Sequence, residues 1–403
     1  MYSENISFQV QNLTEDSITQ IFEKRYADTF RYCHTRGKWF VWTGTRWQEE
    51  MTLLVRESIR LICREISATG NTKFSKASTI HAIEKIAMAS RTFSITSEHW
   101  DQSQWLIATP NGTIDLKTGQ LRHSCRKDYI TRQSSISASA SDTQAPIWKK
   151  FLEQATLGDK QLVRFLQQIS GYALTGDISA HSLFFIYGDG GNGKGVFINT
   201  ITGILGEYAK TAPMNTFTAT RADQHPTDLA MLKGARLVTA SETECGHSWA
   251  EAKIKNITGG DPITARFMRQ DFFTYTPEFK LFIVGNHKPK LSNVDASTLR
   301  RFNIIPFIHK PDFPNPELEA ELKNELPAIF RWMIDGCLDW EKNGFIKPDV
   351  VESATKDYFD EQDIFGQWLS ECCLTDDKAG YQETNKRLFK SWQSYAEAAG
   401  ERV

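Results

Sequence analysis

Residues 182–195 carry the pattern with the most specific chemistry in this chain. They read SLFFIYGDGGNGKG, an apolar run followed by a glycine-rich turn and a lysine. Glycines allow backbone N–H groups to turn inward around a phosphate, and a lysine at this spacing can reach the outer phosphates of a nucleotide. The spacing GxxxxGK is that of a phosphate-binding loop between a buried strand and a helix.

The residues expected to contact the nucleotide are contiguous. They are Gly188, Asp189, Gly190, Gly191, Asn192, Gly193, Lys194, Gly195 and Val196. Gly195 departs from the usual loop, in which a Ser or Thr hydroxyl at this position binds Mg²⁺. We therefore expect the metal to keep a water there or to take another ligand. The alternative is a glycine-rich turn with no ligand.

Later stretches supply side chains that could complete a hydrolytic site. Glu242 ends the apolar run LVTASE, a position from which an acid can hold Mg²⁺ and align water, and Glu244 either shares that role or is solvated. Asn286 ends the run KLFIVGN and either orients water or forms a turn. Arg300 and Arg301 could neutralise developing phosphoryl charge or form surface salt bridges.

Composition limits the classes of protein that fit the chain. A length of 403 residues predicts two or three domains. No apolar run approaches the length of a membrane span, and the seven scattered cysteines favour a reduced cytosolic setting without structural zinc. The net charge of −2 argues against a chain coated in basic residues, so any DNA contact must be local or concentrated by assembly of several subunits.

The elements expected to position these residues follow from hydrophobic patterns. The stretch 30–49 is typical of two short hairpins, and helices are expected at 52–67 and 77–90. The alternating run 263–277 predicts a further hairpin with Arg269 near its tip. Buried strands separated by helices around the loop predict an α/β core with a mostly parallel sheet. Two helical regions should follow, at 315–343 and 350–373.

The ordered motifs GDGGNGKG, LVTASETE, FIVGNHKP and LRRFNIIPF resemble superfamily III helicases, specifically the helicase portion of phage and plasmid primase-helicases related to the poxvirus replication NTPase. The resemblance implies a P-loop AAA+ ATPase core, preceded by a mixed α+β domain and followed by helices and a partial winged-helix-like segment. The expected domains are an N-terminal α+β domain at 1–145, a helical lead-in at 146–179, the ATPase domain at 180–312 and a C-terminal helical region at 313–403, which is expected to end inside its winged helix.

The resemblance also implies an activity. It is that of an ATP-dependent DNA helicase of mobile-element replication, with ATP and Mg²⁺ as cofactors. The helicase would act in the cytoplasm of a bacterial host and would not bind a membrane. Its partners would be single-stranded or forked DNA, further copies of the chain in a ring that is usually hexameric, and a primase or replication initiator.

The residue roles follow from the same resemblance. They are Lys194 as Walker A lysine, Glu242 with Glu244 as metal-binding Walker B acids, Asn286 as sensor, and Arg300 or Arg301 as the finger that reaches a neighbour's ATP. The segment 255–280 corresponds to a motif whose hairpin enters the ring channel. The expected DNA-binding residues are Lys255, Arg266, Arg269 and Lys288.

Two departures and two rival functions accompany this interpretation. Ser241 precedes Glu242 where related helicases often carry a second acid, and residues 1–180 lack the zinc-ribbon cysteines and paired acids of a primase. The rivals are an AAA+ ATPase that remodels protein or packages DNA without unwinding it, and a scaffold that assembles on nucleotide. Lys194, Glu242 and the arginine pair favour hydrolysis over the scaffold, and the basic and aromatic hairpin favours DNA over protein.

Overall fold

The computed structural model of the protein describes residues 13–68, 72–219, 227–242, 248–291, 295–375 and 380–399. The chain forms two compact units. The first comprises Met1–Asp115 and Gln120–Gln133, and the second comprises Leu116–Gly119 and Ser134–Val403. Among the helices in the described ranges, none is both long and apolar enough to span a bilayer. The four-part domain division expected from the sequence stays a prediction.

The first unit is a mixed α+β structure with two small sheets. Its elements are α1 (Glu15–Tyr26), β1 (Phe30–Cys33), β2 (Lys38–Trp42), β3 (Trp47–Glu49), α2 (Leu54–Ser67), α3 (Ala77–Ala89), β4 (Ser94–Ile95), β5 (Leu106–Thr109), β6 (Gly112–Asp115) and β7 (Gln120–Arg122). The sheets have the strand orders β3-β2-β1-β4 and β5-β6-β7. The antiparallel pairs β1–β2 and β2–β3 confirm the two hairpins expected from the sequence. Phe22, Phe30 and Ile59 lie in the core between the four-stranded sheet and the helices of this unit.

The second unit contains all of the motifs with candidate chemistry. Its elements are α4 (Pro146–Ala155), α5 (Lys160–Tyr172), β8 (Leu183–Tyr187), α6 (Lys194–Leu205), β9 (Ala209–Thr211), α7 (Thr227–Ala230), β10 (Leu237–Glu242), α8 (Glu251–Gly259), β11 (Ile263–Ala265), β12 (Phe273–Tyr275), β13 (Lys280–Gly285), α9 (Ala296–Leu299), β14 (Phe302–Pro306), α10 (Leu318–Leu322), α11 (Leu326–Asn343), α12 (Asp349–Gln362), α13 (Ile364–Cys372) and α14 (Asn385–Ala398). Strands β11 and β12 form the expected hairpin.

A five-stranded sheet with the order β14-β8-β13-β10-β9 forms the centre of this unit, and every pair of neighbouring strands in it is parallel. The first four residues of β8 are fully buried, as expected for a strand covered on both faces. The mostly parallel sheet predicted from the sequence is therefore confirmed.

The register of the sheet decides which motifs can meet. Tyr187 at the end of β8 is paired with Gly285 on one side and with Pro306 on the other. Gly285 is paired in turn with Glu242 at the end of β10. Because parallel strands all leave the sheet at the same edge, the segments that follow these residues emerge side by side.

Candidate functional site

The glycine-rich loop after β8 is attached to the chain that follows β14. Gly188 has a φ of +154°, and a Cβ atom on it would lie 1.9 Å from the carbonyl oxygen of Phe307. The side-chain amide of Asn192 donates a hydrogen bond to the same oxygen, and the Phe307 N–H donates to the Tyr187 carbonyl at 2.7 Å. Only glycine fits at position 188, because the neighbouring strand passes so close.

Helix α6 begins directly after the loop. Its N-cap residue is Gly193, which has a φ of +86° and no side chain to cap the helix. The first N–H groups of an α-helix have no partner within the helix, and they give its N-terminus a partial positive charge. The loop and the start of α6 therefore offer backbone donors to an anion.

Lys194 lies inside the turn and is only 6% exposed. Its Nζ atom donates to the carbonyl oxygens of Gly188 and Asp189 and to the side-chain oxygen of Asn192, the last two at 2.9 Å and 3.0 Å. Burial lowers the pKa of this ammonium group, and the nearby Asp189 carboxylate partly offsets that effect. All three acceptors are neutral, so a phosphate oxygen would be a stronger partner for the cation.

A cavity of about 430 Å³ lies beside the loop. Its walls include Phe151 and Ile147 from α4, the loop residues 191–193, and His309 and Phe313 from the segment after β14. The volume falls within the range of small-molecule pockets, and the wall combines apolar side chains with the polar loop. A ligand whose anionic end lies at the loop would find room in this cavity for a further group.

The other candidate residues at the carboxyl edge follow the neighbouring strands. The Gly188 N–H donates to the Gly285 carbonyl at 3.4 Å, which places the start of the loop beside the backbone of Asn286, an exposed residue. Glu242 ends the next strand, β10. The side chain of Glu242 and the whole of Glu244 lie outside the described residues. Their metal-binding role therefore stays a prediction.

The two arginines lie at the opposite edge of the sheet. The Leu183 N–H donates to the Arg301 carbonyl at 2.7 Å, so Arg301 is level with the beginning of β8 rather than its end. Leu183 and Tyr187 are separated by about 13 Å of extended strand. The arginines and the loop of one subunit therefore cannot contact the same phosphate.

The environments of the two arginines differ. The Arg301 Nη1 donates to the Ser297 carbonyl at 2.7 Å, while its Nε is buried and has no hydrogen-bond partner in the described part of the chain. Burial, together with the charge of Arg300, lowers the pKa of the Arg301 guanidinium group. Arg300 is exposed. Arg301 is thus a cation held by a backbone carbonyl, and the charges of Asp295 and Asp261 only partly offset the effect of its burial.

Two of the four expected DNA-binding residues lie at the hairpin tip. Arg266 and Arg269 are exposed between β11 and β12, and Arg269 adopts a φ of +62°. The Arg266 guanidinium group lies 4.6 Å from the ring centroid of Phe272, which is 60% exposed, and Met268 beside them is 70% exposed. The tip thus presents positive charge and apolar surface together.

The other two expected DNA-binding residues are engaged within the subunit. The Lys255 Nζ atom lies 2.6 Å from a carboxylate oxygen of Asp295. The Lys288 Nζ atom lies 3.5 Å from a carboxylate oxygen of Glu361 and 4.9 Å from the ring centroid of Tyr187. Their role in DNA binding stays a prediction.

Sequence patterns did not reveal the contribution of residues 307–315. The structure brings the Phe307 carbonyl to the loop and places Lys310 against Gly191, where a Cβ atom would lie 3.3 Å from the Lys310 Cε. The apolar run 302–307 is the sequence feature that points to this contact, because a strand paired with β8 continues past the loop. No residue pattern around Lys310 predicts that its side chain lies against Gly191.

These features define the second unit as an α/β domain in which a parallel strand and a helix are joined by a glycine-rich loop. Residues 19–157 match the family described as "D5 N terminal like", and residues 186–301 match the "Family of unknown function (DUF5906)". With the relatives below, these matches relate the chain to the primase-helicase family.

The similar proteins include viral proteins with provisional helicase names. L207/L206 of Acanthamoeba polyphaga mimivirus is 26% identical over 296 residues, which are 67% of this chain and 31% of that protein. Helicase 184R of Invertebrate iridescent virus 6 is 27% identical over 296 residues, which are 70% of this chain and 30% of that protein. The chain thus spans less than a third of these relatives.

A solved structure shares the fold. The apo structure of the NrS-1 C-terminal region superposes with a TM-score of 0.54 and covers 97% of this chain and 91% of its own. The identity is 10%, so this likeness concerns the fold alone.

Proposed function

We propose that the chain is an ATP-dependent DNA helicase of a mobile element's replication machinery. Its second unit would be a P-loop AAA+ motor of superfamily III that hydrolyses ATP within a ring, usually of six subunits, and translocates on single-stranded DNA. The observation that carries this proposal is the buried Lys194 ammonium group, held by neutral acceptors in a glycine loop at the N-terminus of α6.

The residues present fit a nucleoside triphosphate. Backbone N–H groups of the loop and Lys194 would bind the phosphates, and the adjoining cavity would take the nucleoside. Glu242 and Glu244 are proposed to hold Mg²⁺, which neutralises phosphate charge when bound. Asn286 would orient the attacking water from the strand beside β8.

The proposed hydrolysis needs a second subunit. Because the arginines lie at the edge of the sheet opposite the loop, a neighbour must bring its own arginine to each ATP. Arg301 is the better finger, since its guanidinium group is fixed by Ser297 and is already partly desolvated.

One observation favours a second candidate, an ATPase that remodels protein. The hairpin tip exposes Met268 and Phe272, and apolar side chains can grip a peptide as well as stack on bases. The two functions differ in the polymer that stimulates hydrolysis.

The test is the ATPase rate with and without single-stranded DNA, measured beside strand displacement on a forked duplex. The helicase proposal expects DNA to stimulate hydrolysis and ATP to drive displacement. Hydrolysis that responds to unfolded protein and not to DNA would favour the remodelling ATPase. ATP binding and assembly without hydrolysis would favour the scaffold.

Gly195→Ser should preserve or strengthen the binding of Mg²⁺-ATP. A Cβ atom at position 195 would meet nothing within 4 Å, so the loop has room for the side chain, and the hydroxyl could replace a metal-bound water. Equilibrium titration with fluorescent ATP, with and without Mg²⁺, measures the change, and Gly195→Ala is the matched control. Loss of binding in both folded variants would mean that the backbone itself requires glycine.

Arg269→Ala should weaken the binding of single-stranded DNA while leaving basal ATPase nearly intact. The charge stands at a solvent-exposed tip, so it can meet phosphates and release counterions without a role in the fold. When the affinity for single-stranded DNA is measured from low to moderate salt, its logarithm should fall less steeply with the logarithm of salt concentration than in the wild type. Gln270→Ala, a neutral change at the next exposed position, is the control. A slope equal to that of the wild type would remove Arg269 from the DNA interface.

A further inference from the structure

The chain beyond β14 forms part of the wall around the glycine loop. The Phe307 N–H extends the pairing of β14 with β8 by one residue, and the Phe307 carbonyl receives the Asn192 amide. His309 and Phe313 then line the cavity beside the loop. The segment is therefore placed against the loop by the sheet itself and not by a mobile surface contact.

The Lys310 side chain lies over the loop at Gly191. A Cβ atom on Gly191 would be 3.3 Å from the Lys310 Cε and 4.0 Å from both its Cδ and Cγ. The aliphatic stem thus runs along the loop, and the ammonium group is one bond beyond the closest of these atoms. Gly191 also has a φ of +83°, a backbone conformation that favours glycine.

Two exposed lysines lie near the loop, Lys310 against Gly191 and Lys150 in the cavity wall. Within the loop, the Asp189 carboxylate only partly offsets the effect of burial on Lys194, whose ammonium group donates to neutral oxygens. Lys310 is exposed and has no ion-pair partner within the described ranges. A triphosphate carries several negative charges, more than Lys194 alone can neutralise.

We infer that Lys310 is a second phosphate-binding lysine, which contacts the outer phosphates of a nucleoside triphosphate over Gly191. This inference rests on the proposed function of the site. Lys310 would distinguish a triphosphate from a monophosphate, because only the longer phosphate chain reaches both lysines. Its charge would also matter more when no Mg²⁺ is present to neutralise the phosphates.

The experiment measures binding rather than turnover. Fluorescently labelled ATP is titrated into the full chain carrying Lys310→Gln, and unlabelled AMP is used as a competitor. We expect the affinity for ATP to fall about tenfold, as for loss of one charge-assisted hydrogen bond, and the affinity for AMP to change less than about twofold. The loss should be larger in EDTA than in Mg²⁺. Lys310→Arg should retain most of the affinity.

Lys356→Gln, an exposed lysine on α12, is the control for removal of one surface charge. Equal ATP affinities for Lys310→Gln and the wild type would overturn the inference. Equal losses for ATP and AMP would also overturn it, because they would indicate damage to the cavity. Failure of the wild type to bind ATP would instead remove the proposed function, and the inference with it. Melting temperatures should stay unchanged, since Lys310 is exposed.

Discussion

Lys194→Ala should reduce ATP turnover by at least about 10²-fold, the scale of losing one preorganised donor to transition-state charge. The ammonium group is the buried side-chain cation of the loop, and backbone N–H groups alone would remain for the phosphates. Binding of labelled ATP should weaken as well, since the same contact is made in the ground state. Steady-state phosphate release and equilibrium titration measure the two effects.

The controls for this variant separate chemistry from folding. Lys194 also joins Asp189 and Asn192 within the loop, so its removal could loosen the turn. A melting temperature close to that of the wild type would show that the fold persists, and Lys356→Ala removes a lysine from the exposed face of α12. Turnover near the wild-type rate in a folded Lys194→Ala protein would contradict the whole proposal for this site.

Arg301→Ala should lower turnover by about 10³-fold or more while ATP binding persists. An arginine supplied by a neighbour stabilises charge that develops in the transition state, and characterised fingers contribute about 10³ to 10⁵ in kcat. An ordinary surface salt bridge contributes only about 0 to 1 kcal/mol, which could not produce such a loss. Arg387→Ala, an exposed arginine on α14, gives the background effect of removing a surface charge.

Mixing experiments test the role of the subunit interface. A ring that combines Arg301→Ala with Lys194→Ala subunits contains some interfaces at which an intact loop meets an intact arginine, so part of the activity should return. Arg300→Ala is measured in parallel. If Arg300→Ala abolishes ATPase activity and Arg301→Ala does not, Arg300 is the arginine finger. ATPase per subunit that stays constant down to a demonstrated monomer would refute hydrolysis between subunits.

Local patterns were sufficient to predict much of the second unit. The apolar runs at β8, β13 and β14 are bounded by glycine or charge, and each became a buried strand. The helical region expected over 315–343 forms two helices, α10 and α11, and α11 begins one residue before Pro327. The helical region expected over 350–373 is divided at Asp363, whose carboxylate accepts the Gly366 N–H and begins α13. Both divisions arise from helix-start signals inside helical patterns.

The parts of the site that depend on distant segments could not be predicted. Phe307 and Lys310 reach the loop because β14 pairs with β8, a contact between residues more than a hundred positions apart. No spacing rule encodes that register. Likewise, no local pattern predicts that Lys255 and Lys288 form ion pairs, since the carboxylates that pair with the two lysines come from other elements.

The loop and the arginines lie at opposite edges of one sheet. This arrangement has a consequence for how ATP binding and hydrolysis depend on the concentration of the protein. If each nucleotide is shared by two chains, ATP affinity and self-association are thermodynamically linked, and each strengthens the other by the same factor. At low protein concentration, the chains would then be monomeric and would bind ATP weakly. Hydrolysis would begin only once the copy number supports assembly, so the cell would not lose ATP to idle single chains.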